Sequence, residues 1–180
     1  TTSFYYFGIA KGIIALVLFY YLVKWIGSKF GYNICAGNDV IHMFDSDKVP
    51  HNCILVLEME KGSFEAIQDR LYQTMICNIK RYREVAVNLF GFFFWKEIDK
   101  QTAKKQVKRC EEDIHTRDKV IAYCKKQLAI KMPMDKPQWE FIFVEDYSET
   151  ESVALLKFHH SFSDGGGIMN SLLFMNNVDN

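Results

Sequence analysis

The stretch KFHHSFSDGGG, Lys157 to Gly167, sets two adjacent histidines, His159 and His160, shortly before Asp164 and three glycines. A neutral imidazole takes a proton from a hydroxyl near neutral pH, and works best when its other nitrogen is held by a hydrogen bond that fixes the tautomer. Glycines after an aspartate let the backbone turn tightly and let a ligand approach without meeting a β-carbon. Metal binding by His159, His160 and Asp164 is the first competing chemistry. Neighbouring residues on an extended segment point to opposite faces, so the two rings are not placed to share one ion. No further strong ligand lies nearby at a familiar spacing, so no metal is expected. A plain turn closing an edge strand is the other reading, and the residue types alone leave it open.

The elements that must position these residues follow from pattern. QWEFIFVEDY and SVALLKFHH flank the polar SETE as two β-rich runs, a hairpin signal, and the second run ends at the histidines. The apolar IMNSLLFM after the glycines predicts a helix. NCILVLEME, Asn52 to Glu60, predicts a strand that turns at Lys61-Gly62. Ser63 then caps a helix through about Arg83, with Phe64, Ile67, Leu71, Met75 and Ile79 in one apolar stripe. A second amphipathic helix is expected from about Arg117 to Ile130, burying Val120, Ile121, Cys124 and Leu128 and stopped by Met132-Pro133. Between Lys96 and Glu112 charge dominates, and Lys104, Lys105, Lys108 and Arg109 read as a solvated helix face. The sharper option for them is contact with acidic lipid headgroups or coenzyme A phosphates. NLFGFFFWKEID needs cover for Phe92, Phe93 and Phe94, in a core, in lipid or in a membrane-protein partner. Strands mixed with helices predict an α/β sandwich.

HHSFSDG resembles the HHxxxDG signature of acyltransferases with the chloramphenicol-acetyltransferase-like fold, and the surroundings are most similar to the wax ester synthase/diacylglycerol acyltransferases. MPMDKPQWEF resembles their PLDxxRPLWE-like segment, with Gln138 where that pattern has leucine. GNDVIHMFDSDKVPHNCILVLEME resembles their early aspartate and following strand, and the likeness runs from about Gly37 to Asn176. The resemblance implies that His160 is the general base on an acceptor hydroxyl, which then attacks an acyl-CoA thioester without an acyl-enzyme. His159 becomes the less essential histidine. Asp164 becomes a structural residue braced by an ionic partner, and Gly165 and Gly166 part of the loop beside the substrate tunnel. It implies a fatty acyl-CoA co-substrate, no bound cofactor, and a long-chain alcohol or diacylglycerol acceptor, giving wax esters or triacylglycerol. Enzymes of this kind close their tunnel between two similar subdomains. The expectation is therefore one half of that fold, residues 37–180, within a longer chain, with catalysis depending on the other half. The alternative function is a non-catalytic accessory subunit of a membrane complex that keeps the half-fold as a scaffold.

The 180 residues are 49% hydrophobic, enough for a real core, and 22 basic residues balance 22 acidic ones, which sets a nucleic-acid partner aside. Five cysteines, an odd number with no CxxC pair, suit a reducing compartment. From Phe4 to Val23 the only charge is Lys11, and a run of about 20 apolar residues is what a membrane-crossing helix needs. Tyr5 and Tyr6 at one end and Tyr20, Tyr21 and Trp25 at the other suit the two headgroup levels. Lys24 and Lys29 predict that the rest lies on the cytosolic or matrix-like side, at the endoplasmic reticulum or mitochondrial inner membrane. Residues 1–30 are thus expected to be a single-pass anchor in membrane lipid, with a buried hydrophobic helix as the competing reading.

Overall fold

The computed structural model describes residues 2–177, with side chains for residues 8–175. The expected aromatic belt at Tyr5 and Tyr6 lies outside the described side chains. The chain opens with α1, Thr2–Lys29, followed by β1, Asn33–Ile34, and the short α2, Gly37–His42. β2, Asn52–Glu60, and α3, Phe64–Leu71, come next. The hairpin β3, Glu84–Leu89, and β4, Phe92–Glu97, leads to α4, Lys100–Lys104, and β5, Val107–Arg109. α5, Arg117–Leu128, precedes β6, Trp139–Val144, β7, Glu151–His159, and α6, Gly165–Asn177.

Two sheets result, one of four strands in the order β2-β7-β6-β5 and one of three in the order β1-β4-β3. In the larger sheet β7 runs antiparallel to both β2 and β6, while β5 joins β6 in parallel. Alternation along β7 separates two cores. Ala154, Leu156 and Phe158 pack with Leu71, Met75, Ile168 and Leu172 from the α3 and α6 side. Val153 and Leu155 pack with Ile114 and Val120 from the α5 side. The α/β sandwich is therefore present, with helices on both faces of the larger sheet.

Two helices differ from their sequence patterns. Ser63 does cap α3, accepting from the Ala66 N–H at 3.2 Å, but the helix does not run to Arg83. Ile67, Leu71, Met75 and Ile79 recur every four residues, and each step drifts about 40° round an α-helix of 3.6 residues per turn. A π turn at Tyr72–Ile76 absorbs the drift, with the Cys77 N–H bonded to the Tyr72 carbonyl at 2.9 Å, before a 3₁₀ turn at Lys80–Arg83. On α5 the buried residue is Val120, with Tyr123 and Cys124 packed beside it. Ile121 and Leu128, expected inside, are 44% and 36% exposed. The stretch read as a basic helix is helical only to Lys104, and Lys108 and Arg109 lie on β5. Their charges are answered within the chain: Lys104 by Asp69 at 2.7 Å, Arg109 by Glu145 at 2.7 Å, and Lys108 by Glu140.

The aromatic stretch turns out to be a hairpin with cover inside the chain. Phe90 and Gly91 form its two-residue turn, both at positive φ, and the Asn88 side chain accepts the Gly91 N–H at 3.0 Å. Positive φ at both central residues marks a type I′ turn, whose twist matches that of the strands. Phe92 packs against Phe19 and Tyr20 of α1, with ring centroids 5.9 Å apart in each case. Phe94 is fully buried, and a β-carbon on Gly27 of α1 would overlap its ring. Phe93 and Trp95 face the other way, into a small core with Cys35, Met43 and Ala86. The three-stranded sheet thus lies between α1 and α2. α1 is long and apolar enough to cross a membrane. Ile13, Leu16 and Leu18 are 57–69% exposed, so α1 is not the buried helix of the competing reading.

Candidate active site

His159 and His160 arrive together at the end of β7 and go to different environments. His159 is 2% exposed. Its Nδ1 accepts the Ser161 backbone N–H at 3.2 Å and has the Ser161 hydroxyl 2.7 Å away. Nε2 therefore carries the proton and donates to Asp45 Oδ2 at 3.3 Å. Burial holds the imidazole below its ordinary pKa despite the opposing pull of Asp45, so the contact joins a neutral ring to a carboxylate. Both ring nitrogens of His159 are committed, which leaves no lone pair for a substrate proton.

Asp45 closes this arrangement. Its carboxylate sits 3.0 Å from Lys131 Nζ and accepts the His51 N–H at 3.2 Å. Burial opposes its ionisation, but the Lys131 ammonium, the His51 N–H and His159 outweigh that and hold the carboxyl below the usual range. Gln138 supports the same strand end: its side-chain amide donates to the Pro133 and Lys136 carbonyls, and its backbone carbonyl accepts the His159 N–H at 3.0 Å.

His160 is exposed. Its backbone N–H donates to the His51 carbonyl at 2.9 Å, and its ring stacks on His42 with centroids 4.8 Å apart. Its Nε2 lies 3.2 Å from the sulfur of Cys53 on β2. Burial pushes the Cys53 thiol up, so the sulfur keeps its proton. Beside the His160 ring is a cavity of about 290 Å³ lined by Asn38, Asp39, Ile41, His42, His160 and Asp164. That is near the lower end of ligand-pocket volumes, which run from about 300 to 1,000 Å³.

Asp164 has a structural contact, and the two glycines after it are helical rather than in a loop. Asp164 Oδ1 accepts the Gly167 N–H at 2.7 Å, which is a helix cap, and no ionic partner faces it among the described residues. Gly165 and Gly166 open α6 rather than lying in a loop. A β-carbon on Gly167 would meet the Ser163 hydroxyl, which would have to turn aside. Asp45, His51, His42, Cys53 and Lys131 were not singled out by pattern, because each acts across the fold. The early aspartate segment held Asp45, but only β2 lying beside β7 brings it to His159. Among the described residues no group of three or more His, Cys, Asp or Glu side chains is placed to hold a metal ion.

The fold defined by these elements is known. The chain matches a wax ester synthase/diacylglycerol acyltransferase from Marinobacter aquaeolei VT8 with a TM-score of 0.60 and 15% identity, over 77% of this chain and 35% of that one. It matches the first condensation domain of the calcium-dependent antibiotic synthetase at 0.65 and 10%, over 82% and 37%. A variant starter condensation domain of rhizomide synthetase, solved in complex with C8-CoA, matches at 0.62 and 10%, over 80% and 34%. These proteins share the chloramphenicol-acetyltransferase-like fold, and this chain has one half of it. It spans about a third of the length of the structures it matches. No protein-family model and no curated protein sequence matches it.

Proposed function

We propose that this chain is the histidine-bearing half of a membrane-anchored, acyl-CoA-dependent O-acyltransferase. The observation that carries the reading is the division of labour at the end of β7: His159 is buried with both ring nitrogens committed, whereas His160 is exposed, meets the Cys53 sulfur through Nε2 and lines a cavity. His160 Nε2 takes the proton of an acceptor hydroxyl as the oxygen attacks the acyl carbonyl. The thioester carbon–sulfur bond breaks, and the coenzyme A thiolate leaves with the proton that His160 returns. The acceptor is a lipophilic alcohol, diacylglycerol or a long-chain alcohol, which a span such as α1 brings within reach. The acyl-CoA co-substrate is supported by the C8-CoA complex of a structure with this fold. The shared length of about a third favours a tunnel completed by further protein.

The test is His160→Ala in the complete protein, assayed with labelled acyl-CoA. A fall of roughly a hundred- to ten-thousand-fold is expected, the usual contribution of a general base. Undiminished transfer would overturn the enzyme reading. No transfer by the wild type, with the chain recovered in a stable membrane complex, would favour the accessory-subunit reading instead.

A further inference from the structure

The β3–β4 turn carries a residue that nothing in the chain requires. Phe90 is 72% exposed and has φ of 54°. The first central position of a type I′ turn favours Asn, Asp or Gly, because a side chain at positive φ meets its own backbone. A bulky aromatic there carries a backbone cost without gaining any burial. The uncharged run from Val85 to Trp95 ends in charge on both strands, at Glu84 and at Lys96-Glu97. The hairpin therefore has a charged base and an uncharged tip, whose polar side chain, Asn88, is bonded to the turn itself.

Its contacts with α1 say which way the tip points. Phe94 meets α1 at Gly27, while Phe92, two residues nearer the turn, meets it at Phe19 and Tyr20. Moving along β4 toward the turn is thus moving along α1 toward its middle. From Lys24, the first charge after the apolar run, back to Phe19 is about 7.5 Å at 1.5 Å per residue. A span with Lys24 at headgroup level places Phe92 below that level and Phe90 and Gly91 deeper still. Behind the tip, a cavity of about 300 Å³ is lined by Tyr20, Val40, Gly91, Phe92 and other residues of the same junction.

We propose that the β3–β4 tip is a second membrane-inserted element, which puts Phe90 into the bilayer beside α1. The proposal rests on the reading of α1 as a span. Its occupant is the lipid bilayer: the turn lies along a helix whose own side chains are exposed and apolar, and a charged or hydrated partner has nothing to bond at Phe90.

The test places p-benzoylphenylalanine at position 90 (Phe90), at position 16 (Leu16) in the span and at position 121 (Ile121) on α5. The whole chain is reconstituted in phosphatidylcholine/phosphatidylglycerol liposomes, irradiated, and its lipid adducts are measured by mass spectrometry. Adducts at 90 and 16 at least ten-fold above those at 121 are expected. Adducts at 16 but not at 90 overturn the inserted tip and leave the span standing. Absence of adducts at 16 removes the span, and the proposal with it. Equal yields at all three positions also overturn it, because the tip would then have no special contact with lipid.

Discussion

At the scale of single residues, the pair His159-His160 separates into a fixed ring and an available one. Alternation along a strand anticipates the separation, but not its cause, since Asp45 and Ser161 hold His159 through the tertiary fold. A consequence for stability follows from protonation. His159 and His42 both have pKa values lowered chiefly by burial, so the unfolded chain binds their protons more readily than the folded one. Their contribution to stability is complete above the ordinary imidazole value of about 6.5 and is lost as pH falls through and below it. Asp45, held low mainly by Lys131 against its burial, adds further loss in more acid solution. Tm measured from pH 8 down to pH 5 is expected to fall on the acid side, and His159→Gln should flatten that fall. A flat profile in the wild type would show that the imidazoles are not held neutral. On the proposed mechanism the thiol only occupies the place that the acceptor would take, so Cys53→Ala should leave transfer within a few-fold of wild type. A loss as large as that of His160→Ala would make Cys53 part of the chemistry.

At the scale of elements, periodicity revealed β2, β6, β7 and the apolar body of α6 from Ile168, though not its first turn at Gly165–Gly167. The β3–β4 hairpin escaped because its turn is Phe90-Gly91, without the Asn-Gly or Asp-Gly pair that marks such turns. β5 escaped because three residues dominated by Lys108 and Arg109 carry too little β signal, and only the parallel pairing with β6 makes them a strand. The π turn after α3 shows how a true stripe can overstate a helix. Two element-level outcomes are expected. Trp139 is 1% exposed, donates its Nε1–H to the Tyr82 carbonyl at 2.9 Å and meets the Tyr82 ring edge-on. Trp139→Ala should therefore cost about 3–5 kcal/mol in denaturant unfolding, and an unchanged midpoint would show that the packing carries no weight. Asp164→Ala removes the cap of α6 and should cost about 1 kcal/mol. A loss several times larger would restore the idea of an ionic brace.

At the scale of the whole molecule, half of a chloramphenicol-acetyltransferase-like fold was legible because its signature sits on a strand end between recognisable elements. The mounting of α1 on the small sheet was not legible, since it depends on Phe94 meeting a helix face far away in sequence. Gly27→Leu should force those surfaces apart at an overpacking cost of about 1–3 kcal/mol. Hydrogen exchange should quicken in β3 and β4 while β6 and β7 stay protected. Uniform protection would mean that α1 and the sheet are not coupled there.

If α1 is the proposed membrane anchor, the seat of Phe94 under Gly27 also bears on how the proposed enzyme would search a lipid surface. A domain on a slack tether tumbles, and it finds its substrate only in the small fraction of orientations that present the site. Here the helix is keyed into the sheet whose opposite face carries α2, and α2 supplies His42 beside His160. For a chain anchored through α1, the height and tilt of the histidine cavity above the lipid are set when the protein folds. On that proposal, encounter would be a two-dimensional search in which orientation has already been chosen.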